Sequence, residues 1–304
     1  MYVKMTAVHS ITTTAKRARL AFLPLCLLLF ASCAVEESET PVITDRRVPV
    51  VFSAPPVAPA TRTSVDGNQW VGGDRIGIYM LRAGGALPAD IAENADNRRY
   101  VVSSITGGSV ASFVPVDVAT DLIQYPSSPA SVDFVACYPY KATGSGGIDG
   151  NGYYPIDVSN QNNPAAIDLM YAKVTGVNKS TNAVSLPFEH VMTRLVLNVA
   201  RGTDIIYSDS ADIIATVSGM PVKAKFSLSD RQFVPEGAVS FRMRKVATAA
   251  GYLATFEAVV IPTAGGDRRV TLRFYNNEYV WKIPAADAFL PGKRYIHTMT
   301  AGLS

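Results

Sequence analysis

The sequence contains few of the residues on which most active sites and metal centres depend. Among 304 residues there are three cysteines and three histidines, and Asp, Glu, Lys and Arg together make up 17%. No group of cysteines and histidines has the spacing of a zinc site. A Gly-rich phosphate loop, a nucleophile elbow and a helical zinc-binding pair are also missing. We therefore predict no enzyme activity, no metal and no cofactor.

The polar residues that are present have simpler structural interpretations. His297 shares a strand face with apolar neighbours, as a packed or edge histidine does, and His190 lies where the apolar pattern changes phase. Asp66-Gly67-Asn68 and Asp149-Gly150-Asn151 carry oxygen ligands for calcium, but Asp-Gly is a strong turn sequence and we predict turns. The sequence alone neither predicts nor excludes a catalytic pair of carboxylates brought together by the fold.

The N-terminal segment is the one long apolar run. Leu20–Cys33 reads LAFLPLCLLLFASC and follows the basic residues of positions 16–19. This order is typical of a secretory signal, and the run is too short to cross about 30 Å of hydrocarbon. Its ending, Phe30-Ala31-Ser32-Cys33, resembles the bacterial lipoprotein box, which implies a lipid on Cys33 and attachment to the outer membrane. The alternative is an ordinary cleaved signal with a chance cysteine.

Loss of this signal changes both the charge and the cysteine count. The whole chain has 28 Lys and Arg against 25 Asp and Glu, but residues 1–32 contain four basic residues and no acidic ones. The remaining 24 basic and 25 acidic residues give a net charge of −1, which argues against a nucleic-acid partner. With Cys26 removed and Cys33 acylated, only Cys137 is left, so no internal disulfide is expected.

The rest of the chain reads as β-structure. Short runs rich in Val, Ile, Tyr and Phe, separated by Gly, Pro, Asn or Ser, predict strands at 48–52, 74–81, 99–104, 111–116, 132–140, 169–174 and 184–188. In Arg268–Tyr275 apolar and polar residues alternate as in a half-buried antiparallel strand. Only Ala89–Asn97 indicates a helix, and a brief one. We predict an all-β fold of two tandem antiparallel β-sandwich domains of the transthyretin-like, Greek-key kind.

A change of phase marks the predicted domain boundary. Leu186 and Phe188 are apolar on even positions, whereas the apolar residues of 191–199 fall on odd ones. A strand keeps one face by a period of two, so the flip at Glu189-His190 indicates a bulge, a turn or a change of sheet. We predict a signal at 1–32, an acidic tether at 33–47, and domains at 48–185 and 186–304.

A family resemblance becomes specific at Thr61–Met80, TRTSVDGNQWVGGDRIGIYM. This stretch resembles the entry of the fimbrillin-like lipoproteins of Bacteroidales, the subunits and relatives of the major and minor fimbriae, or type V pili. Further similar stretches follow in the family's order: Phe134–Tyr140, Leu186–Val199, Val217–Leu228, Phe256–Pro262, Tyr279–Ile283 and Pro291–Thr300. The acidic residues behind Cys33 resemble a surface-export signal. The similarity covers nearly the whole chain after the signal.

The resemblance implies a structural subunit of a surface fimbrium or a fimbrillin-like adhesin. Such proteins are cut after an early Arg by an Arg-specific protease, which frees an N-terminal strand, and a neighbouring subunit fills the groove by β-augmentation. Arg46 and Arg47 are the best-placed candidates, whereas Arg62 lies inside the matched entry stretch. The alternative for the pair is a solvated dibasic sequence in a spacer.

Two further expectations concern the place of the chain in a fimbrium and its ligands. Stalk subunits carry extra C-terminal donor sequence, and here only residues 301–304 follow the last recognisable strand. We therefore expect a tip or accessory subunit more than a stalk subunit. The alternative is a non-polymerising surface lipoprotein whose loops bind a glycan or a host protein through tyrosines near the loop-rich part of the first domain: Tyr125, Tyr138, Tyr140, Tyr153 and Tyr154.

Overall fold

The computed structural model describes residues 47–57, 69–203 and 213–301, which all belong to one compact unit. Almost all of its regular structure is β, and this confirms the predicted all-β class. The two helical elements are one turn of α-helix, α1 at Val118–Asp121, and one 3₁₀ turn at Pro164–Ala166. None of the helices in the described ranges has the length and apolar character needed to span a membrane.

An eight-stranded sheet forms the first half. Its strands are β1 (Phe52–Ala54), β2 (Arg75–Arg82), β3 (Arg98–Thr106), β4 (Val110–Pro115), β5 (Val132–Tyr138), β7 (Met170–Val177), β8 (Val184–Ser185) and β9 (Glu189–His190). They lie in the order β8-β1-β4-β3-β2-β5-β7-β9, and every neighbouring pair is antiparallel except β1 and β8. The predicted strands of this half all coincide with observed strands or overlap them.

Three sheets form the rest of the unit. Their strands are β6 (Tyr153–Asp157), β10 (Thr193–Arg201), β11 (Ile214–Ser227), β12 (Phe233–Arg242), β13 (Arg244–Val246), β14 (Ala254–Val260), β15 (Thr263–Ala264), β16 (Arg268–Phe274), β17 (Asn277–Ile283), β18 (Ala288–Phe289) and β19 (Arg294–Ala301). One sheet has the order β13-β14-β10-β19 and another β12-β11-β16-β17, while β15 pairs with β18. In β16 apolar and polar residues alternate as predicted.

The central strands of the eight-stranded sheet are buried on both faces. In β2, Ile78 and Met80 belong to one hydrophobic core, while Tyr79 and Leu81 belong to a second core that continues into β10, β11 and β14. Cys137 of β5 faces the second core as a free thiol, and burial raises its pKa to about 12. The sheet therefore forms a layer between two cores, and this explains why β2 reads as a nearly continuous apolar run.

The two halves exchange elements at their seam. Strands β8 and β9 lie on either side of residue 186 and both belong to the eight-stranded sheet, while β6 pairs with β11 of the second half. The chain changes sheets between β9 and β10, which is one of the three alternatives that the phase flip at Glu189-His190 left open. The division into tandem sandwich domains at 185/186 stays a prediction.

The helix indicated at Ala89–Asn97 is absent, so that prediction was wrong. Glu93, Asn94 and Asn97 have positive φ angles of 48°, 55° and 47°, which a right-handed helix does not allow. The segment instead follows β2: the amide of Ala92 donates to Met80 O, and the amide of Met80 donates to Ala95 O. Hydrogen bonding to the neighbouring strand prevailed over the weak helical propensity of the sequence.

Candidate assembly site

Of the predicted site residues, only Arg47 belongs to the described part of the chain. Cys33, Arg46 and Arg62 fall outside the described residues. Arg47 is the first residue described, and it is exposed; its Nη1 lies 2.7 Å from Oε2 of Glu93. The pair is largely solvated, and such surface pairs contribute about 0–1 kcal/mol. Arg47 therefore lies at the surface, a short distance before β1, which begins at Phe52.

The segment after Arg47 pairs with the fold on both of its sides. The amide of Val50 donates to Ile123 O, and Val48 O accepts the amide of Tyr125, both at 2.9 Å. Strand β1 then lies between β4, antiparallel, and β8, parallel, with Phe52 opposite both Phe113 and Val184. The sequence placed this strand at 48–52; regular pairing instead extends to residue 54.

The side chains of this segment alternate between the core and solvent. Val50, Phe52 and Ala54 are at most 4% exposed, whereas Val51 between them is 54% exposed. The Phe52 ring packs edge-to-face on Phe134 with centroids 5.1 Å apart, and on Tyr100 at 5.2 Å. Burying a Val or Phe side chain contributes roughly 1.5–3 kcal/mol each. Residues 48–54 are therefore an integral part of the first core.

The position of β1 decides what a cut at the Arg pair does. Because β1 (Phe52–Ala54) follows Arg47, a cut after Arg46 or Arg47 would leave β1 in the body of the protein and would not release it. The backbone bonds and the burial of Phe52 are unaffected by such a cut. Any segment that such a cut would release therefore precedes residue 48.

A second candidate element is the exposed edge of the second half. Within the part of the chain that the structure describes, β19 has one ladder neighbour, β10, to which it is parallel over Arg294–Ala301. Ile296 on this strand is 58% exposed. An edge strand with unpaired backbone groups is a template for pairing with another chain.

The edge strands of the neighbouring sheet carry features that oppose such pairing. Strand β12 contains Pro235, Glu236 and Gly237 in succession, and β17 contains Glu278 and Lys282. Proline and charged residues are the usual means by which natural edges avoid pairing with another strand. The stretch from Ile296 to Ala301 has neither proline nor Asp, Glu, Lys or Arg, which makes β19 the least protected of the three.

Of the other residues singled out in the sequence, His297 and Asp149 have structural roles, while Asp66-Gly67-Asn68 lies outside the described residues. His297 stacks on Trp281 with ring centroids 3.6 Å apart, so it is an edge-strand histidine packed on an aromatic ring, as predicted. Asp149 accepts hydrogen bonds from the amides of Asn151 and Tyr153 and forms the predicted turn. The described residues contain no group of three or more His, Cys, Asp or Glu placed to hold a metal ion.

The tyrosines near the first-domain loops do not form an exposed row. Tyr125 and Tyr154 are 2% exposed, and Tyr138, Tyr140 and Tyr153 are half-buried. The hydroxyl of Tyr154 donates to Pro139 O, and that of Tyr138 donates to Asp74. These rings belong to the interior packing, and they do not offer the flat aromatic platform that glycan binding through these loops would need.

Sequence reasoning named the Arg pair, whose cleavage stays a prediction, but missed the β19 edge. The pattern of β19 alone does not tell which side of the strand has a neighbour, because that depends on the pairing order of the whole sheet. The long spacing between β10 and β19 gives no local hint of their parallel pairing.

Comparisons with known proteins agree with the fold. The family model described as Fimbrillin-like matches residues 61–303. The chain is 28% identical over 285 residues to the "Putative fimbrium subunit Fim1C" of Bacteroides uniformis, covering 91% of this chain and 88% of that protein. The crystal structure of a "putative cell adhesion protein" from Bacteroides uniformis ATCC 8492 superimposes with a TM-score of 0.66 at 25% identity, covering 85% and 94% of the two chains.

A more distant structure supports the fold only. The crystal structure of another "putative cell adhesion protein", from Bacteroides ovatus ATCC 8483, has a TM-score of 0.60 at 19% identity over 84% of this chain and 92% of that one. The family match covers most of the chain and agrees with the motifs found in the sequence. The chain belongs to the fimbrillin-like family.

Proposed function

We propose that this chain is a structural subunit of a surface fimbrium. It is exported as a lipoprotein, held in the outer membrane through Cys33, cut after Arg46 or Arg47, and joined to neighbouring subunits by strand exchange. The observation that carries the proposal is the position of Arg47, which is exposed and lies shortly before β1, the strand that buries Phe52 in the first core. The name of the similar fimbrium subunit from Bacteroides uniformis supports the same role.

Cleavage would act by freeing a chain segment without harming the fold. A protease reaches an exposed Arg at the start of the fold, while residues 48–54 keep their ladder and their core contacts. The cut separates the segment before it from the body, and a strand from the next subunit then joins the body by β-augmentation. Extended strands bind a sheet through main-chain hydrogen bonds, with pockets for alternate side chains.

The unprotected edge of β19 is a second contact point in this proposal. Its exposed Ile296, and the single ladder neighbour that it has among the described residues, would allow an incoming strand to extend the sheet of β10 and β14. Burying such an edge removes a row of unpaired backbone groups and one apolar side chain from water.

The test is the N-terminus and size of the protein on the cell surface, measured by mass spectrometry and SDS electrophoresis. We compare the natural chain with the double variant Arg46→Lys and Arg47→Lys, which keeps both charges but removes the Arg-specific site. The matched control is Arg62→Lys, and Cys33→Ala tests the anchor.

We expect the natural chain and the Arg62→Lys control to begin at residue 47 or 48 and to appear in SDS-resistant high-mass species. The double variant should keep an acylated N-terminus at Cys33 and run as a monomer. The Cys33→Ala variant should lose its acyl mass and its membrane fraction. High-mass species formed equally by the double variant would contradict assembly through the Arg pair.

A tip or accessory position, more than a stalk position, belongs to the same proposal and needs its own measurement. The protease-processed chain, purified and incubated alone, should stay monomeric or form short oligomers, as seen by electron microscopy. Long homopolymers would assign it to the stalk.

A further inference from the structure

A cavity of about 180 Å³ lies at the seam between the two halves, and none of its lining residues belongs to β1 or β19. Its walls come from the turn before β2, the 3₁₀ turn, and strands β5, β7, β9, β10 and β14. The side chains that matter for its chemistry are Trp70, Asp74, Asp168, Met170, His190 and Arg194. Neither the proposed cleavage nor the proposed strand exchange uses them. We call it the seam cavity.

His190 is the unusual member of this cavity. Its side chain is only 9% exposed, and its Nδ1 lies 3.0 Å from Oδ2 of Asp168 without the alignment of a hydrogen bond. Its Nε2 has no hydrogen-bond partner among the described residues. Buried polar groups without a partner are rare in folded proteins because they cost free energy. A ligand in the cavity would supply this partner.

The other polar groups limit what the ligand can be. Asp74 accepts hydrogen bonds from the amide of Val71 and the hydroxyl of Tyr138, and Arg194 donates to Glu257 at 2.7 Å. The walls of the cavity thus carry two carboxylates and one guanidinium beside the imidazole. A simple anion would meet two like charges, and a simple cation would meet Arg194.

Hydroxyl groups suit this mixture of donors and acceptors. Each hydroxyl both donates and accepts, so it can serve a carboxylate, a guanidinium and either protonation state of His190 Nε2. A ring with several hydroxyls can satisfy these groups together without bringing a charge into the cavity.

The apolar walls and the volume agree with a single sugar ring. Trp70 is only 4% exposed, and its indole is held edge-to-face by Phe113, Tyr138 and Phe188 at 5.1–5.4 Å. Trp70 and Met170 are both 4% exposed and therefore only back the cavity wall. The accessible apolar surface, which can contact the C–H face of a sugar, comes from Val71, Pro164 and Ala165. Pockets for drug-sized ligands measure about 300–1,000 Å³. This cavity is smaller and fits one ring, not a chain of several.

We propose that the seam cavity binds one neutral pyranose residue, the terminal sugar of a glycan, with His190, Asp168 and Arg194 as its hydrogen-bonding residues. This gives the subunit a recognition site of its own, independent of how the subunits are joined. The site lies on residues that the protein has whether or not it is cut at the Arg pair.

The test is binding of free sugars to the purified protein, by saturation-transfer NMR and calorimetry. The probes are glucose, galactose and N-acetylglucosamine, with leucine and glutamine as zwitterionic comparisons of similar size. Val71 lines the cavity and is 64% exposed, so Val71→Phe obstructs it without disturbing the core. The matched control is Val118→Phe, at a position 67% exposed on α1 that does not line the cavity.

We expect at least one of the sugars to bind, and Val71→Phe to weaken that binding by about tenfold or more, the effect of losing roughly 1.4 kcal/mol. Val118→Phe should leave it within about twofold. His190→Gln, checked for folding by its melting temperature, should also weaken binding by about three- to tenfold, as expected for one lost hydrogen bond.

Three results would overturn the proposal. The first is that none of the sugars shows saturation transfer at concentrations in the tens of millimolar. Single sugars are expected to bind this weakly, since a Kd of about 1 mM already needs about 4 kcal/mol of binding free energy. The second is sugar binding that Val71→Phe leaves unchanged. The third is binding of leucine or glutamine in preference to every sugar. None of these outcomes depends on cleavage or assembly, so the two proposals fail separately.

Discussion

The first and last strands of the described fold are held in opposite ways. Strand β1 has only three residues, yet it pairs with β4 on one side and β8 on the other and buries Phe52 completely. Strand β19 has eight residues but one neighbour, β10, and exposes Ile296. Length is therefore a poor guide to how firmly a strand belongs to this fold, and the number of neighbours and the buried side chains decide it.

The largest effect should come from the short enclosed strand. Phe52→Ala removes a ring packed edge-to-face on Tyr100 and Phe134, and leaves a cavity in the first core. Such truncations lower the free energy of unfolding by about 3–5 kcal/mol. Urea unfolding followed by fluorescence measures this directly.

The control for this substitution is the next residue. Val51 is 54% exposed, and Val51→Ala should change the free energy of unfolding by no more than about 0.5 kcal/mol. Equal effects of the two substitutions would mean that β1 is not packed in the core in solution, and the contrast with β19 would be lost.

A slightly smaller effect should come from a buried cation that binds the chain segment between β17 and β18. Arg268 on β16 is 1% exposed and donates to the carbonyl oxygens of Thr263, Pro284 and Asp287 at 3.3, 3.0 and 2.5 Å. Hydrogen bonds to charged groups contribute about 1.5–3 kcal/mol. We expect Arg268→Met to lower the free energy of unfolding by about 3 kcal/mol, measured by the same urea titration.

The neighbouring arginine provides a matched comparison. Arg269 lies on the opposite face of β16 and pairs with the exposed Asp267, so Arg269→Met should cost no more than about 1 kcal/mol. If Arg269→Met lowered the free energy of unfolding as much as Arg268→Met, the charge of these arginines, and not their burial, would determine their contribution to stability.

Arg268 also shows why the burial of a charged residue could not be predicted from the sequence. The alternation of Val270, Leu272 and Phe274 predicted the buried face of β16, and position 268 falls in the same phase. A charged side chain is normally read as exposed, since its burial needs compensation. Here that compensation comes from carbonyl oxygens of residues 263, 284 and 287, whose proximity only the tertiary fold creates.

The same distinction between local sequence patterns and tertiary contacts separates the other correct predictions from the features that were missed. The all-β class and most strand positions were predictable, because period-two alternation and turn residues are local features. The family was predictable from the order of its motifs. The seam cavity was not, because it joins Trp70, Asp168 and His190 from distant stretches of chain. The bonding of residues 89–97 to β2 was likewise not predictable from their own sequence.

A pH dependence at the seam should be smaller than either core effect. Burial lowers the pKa of His190 and so does Arg194, but the contact with Asp168 raises it by more, so the net pKa is raised above 6.5. A raised pKa means that protonated His190 stabilises the fold. This contribution is fully present below about pH 6.5 and is lost as the pH rises through the higher pKa of the folded state.

The variant that tests this is Asp168→Asn, compared with the natural chain by urea unfolding between pH 5.5 and 8.5. We expect the natural chain to be more stable than the variant at low pH by about 1 kcal/mol at most, and the difference to shrink as the pH rises. His297 acts in the opposite direction, since burial lowers its pKa, but it is present in both proteins and cancels in the difference. A difference in the free energy of unfolding that stays constant with pH would assign Asp168 a role that does not involve protonation of His190.

The smallest effect on stability should come from the exposed strand, and it is the one that bears most on assembly. Ile296 is 58% exposed on an edge with one neighbour, so Ile296→Lys should change the free energy of unfolding by about 0.5 kcal/mol or less. A lysine on an edge strand opposes pairing with another chain. If β19 accepts a neighbour's strand, this variant should fold normally but lose SDS-resistant high-mass species.

Val280→Lys, 48% exposed on β17, should retain these species because that edge already carries Glu278 and Lys282. Loss of the high-mass species in both variants would point to general charge repulsion, and retention in both would exclude the β19 edge from assembly.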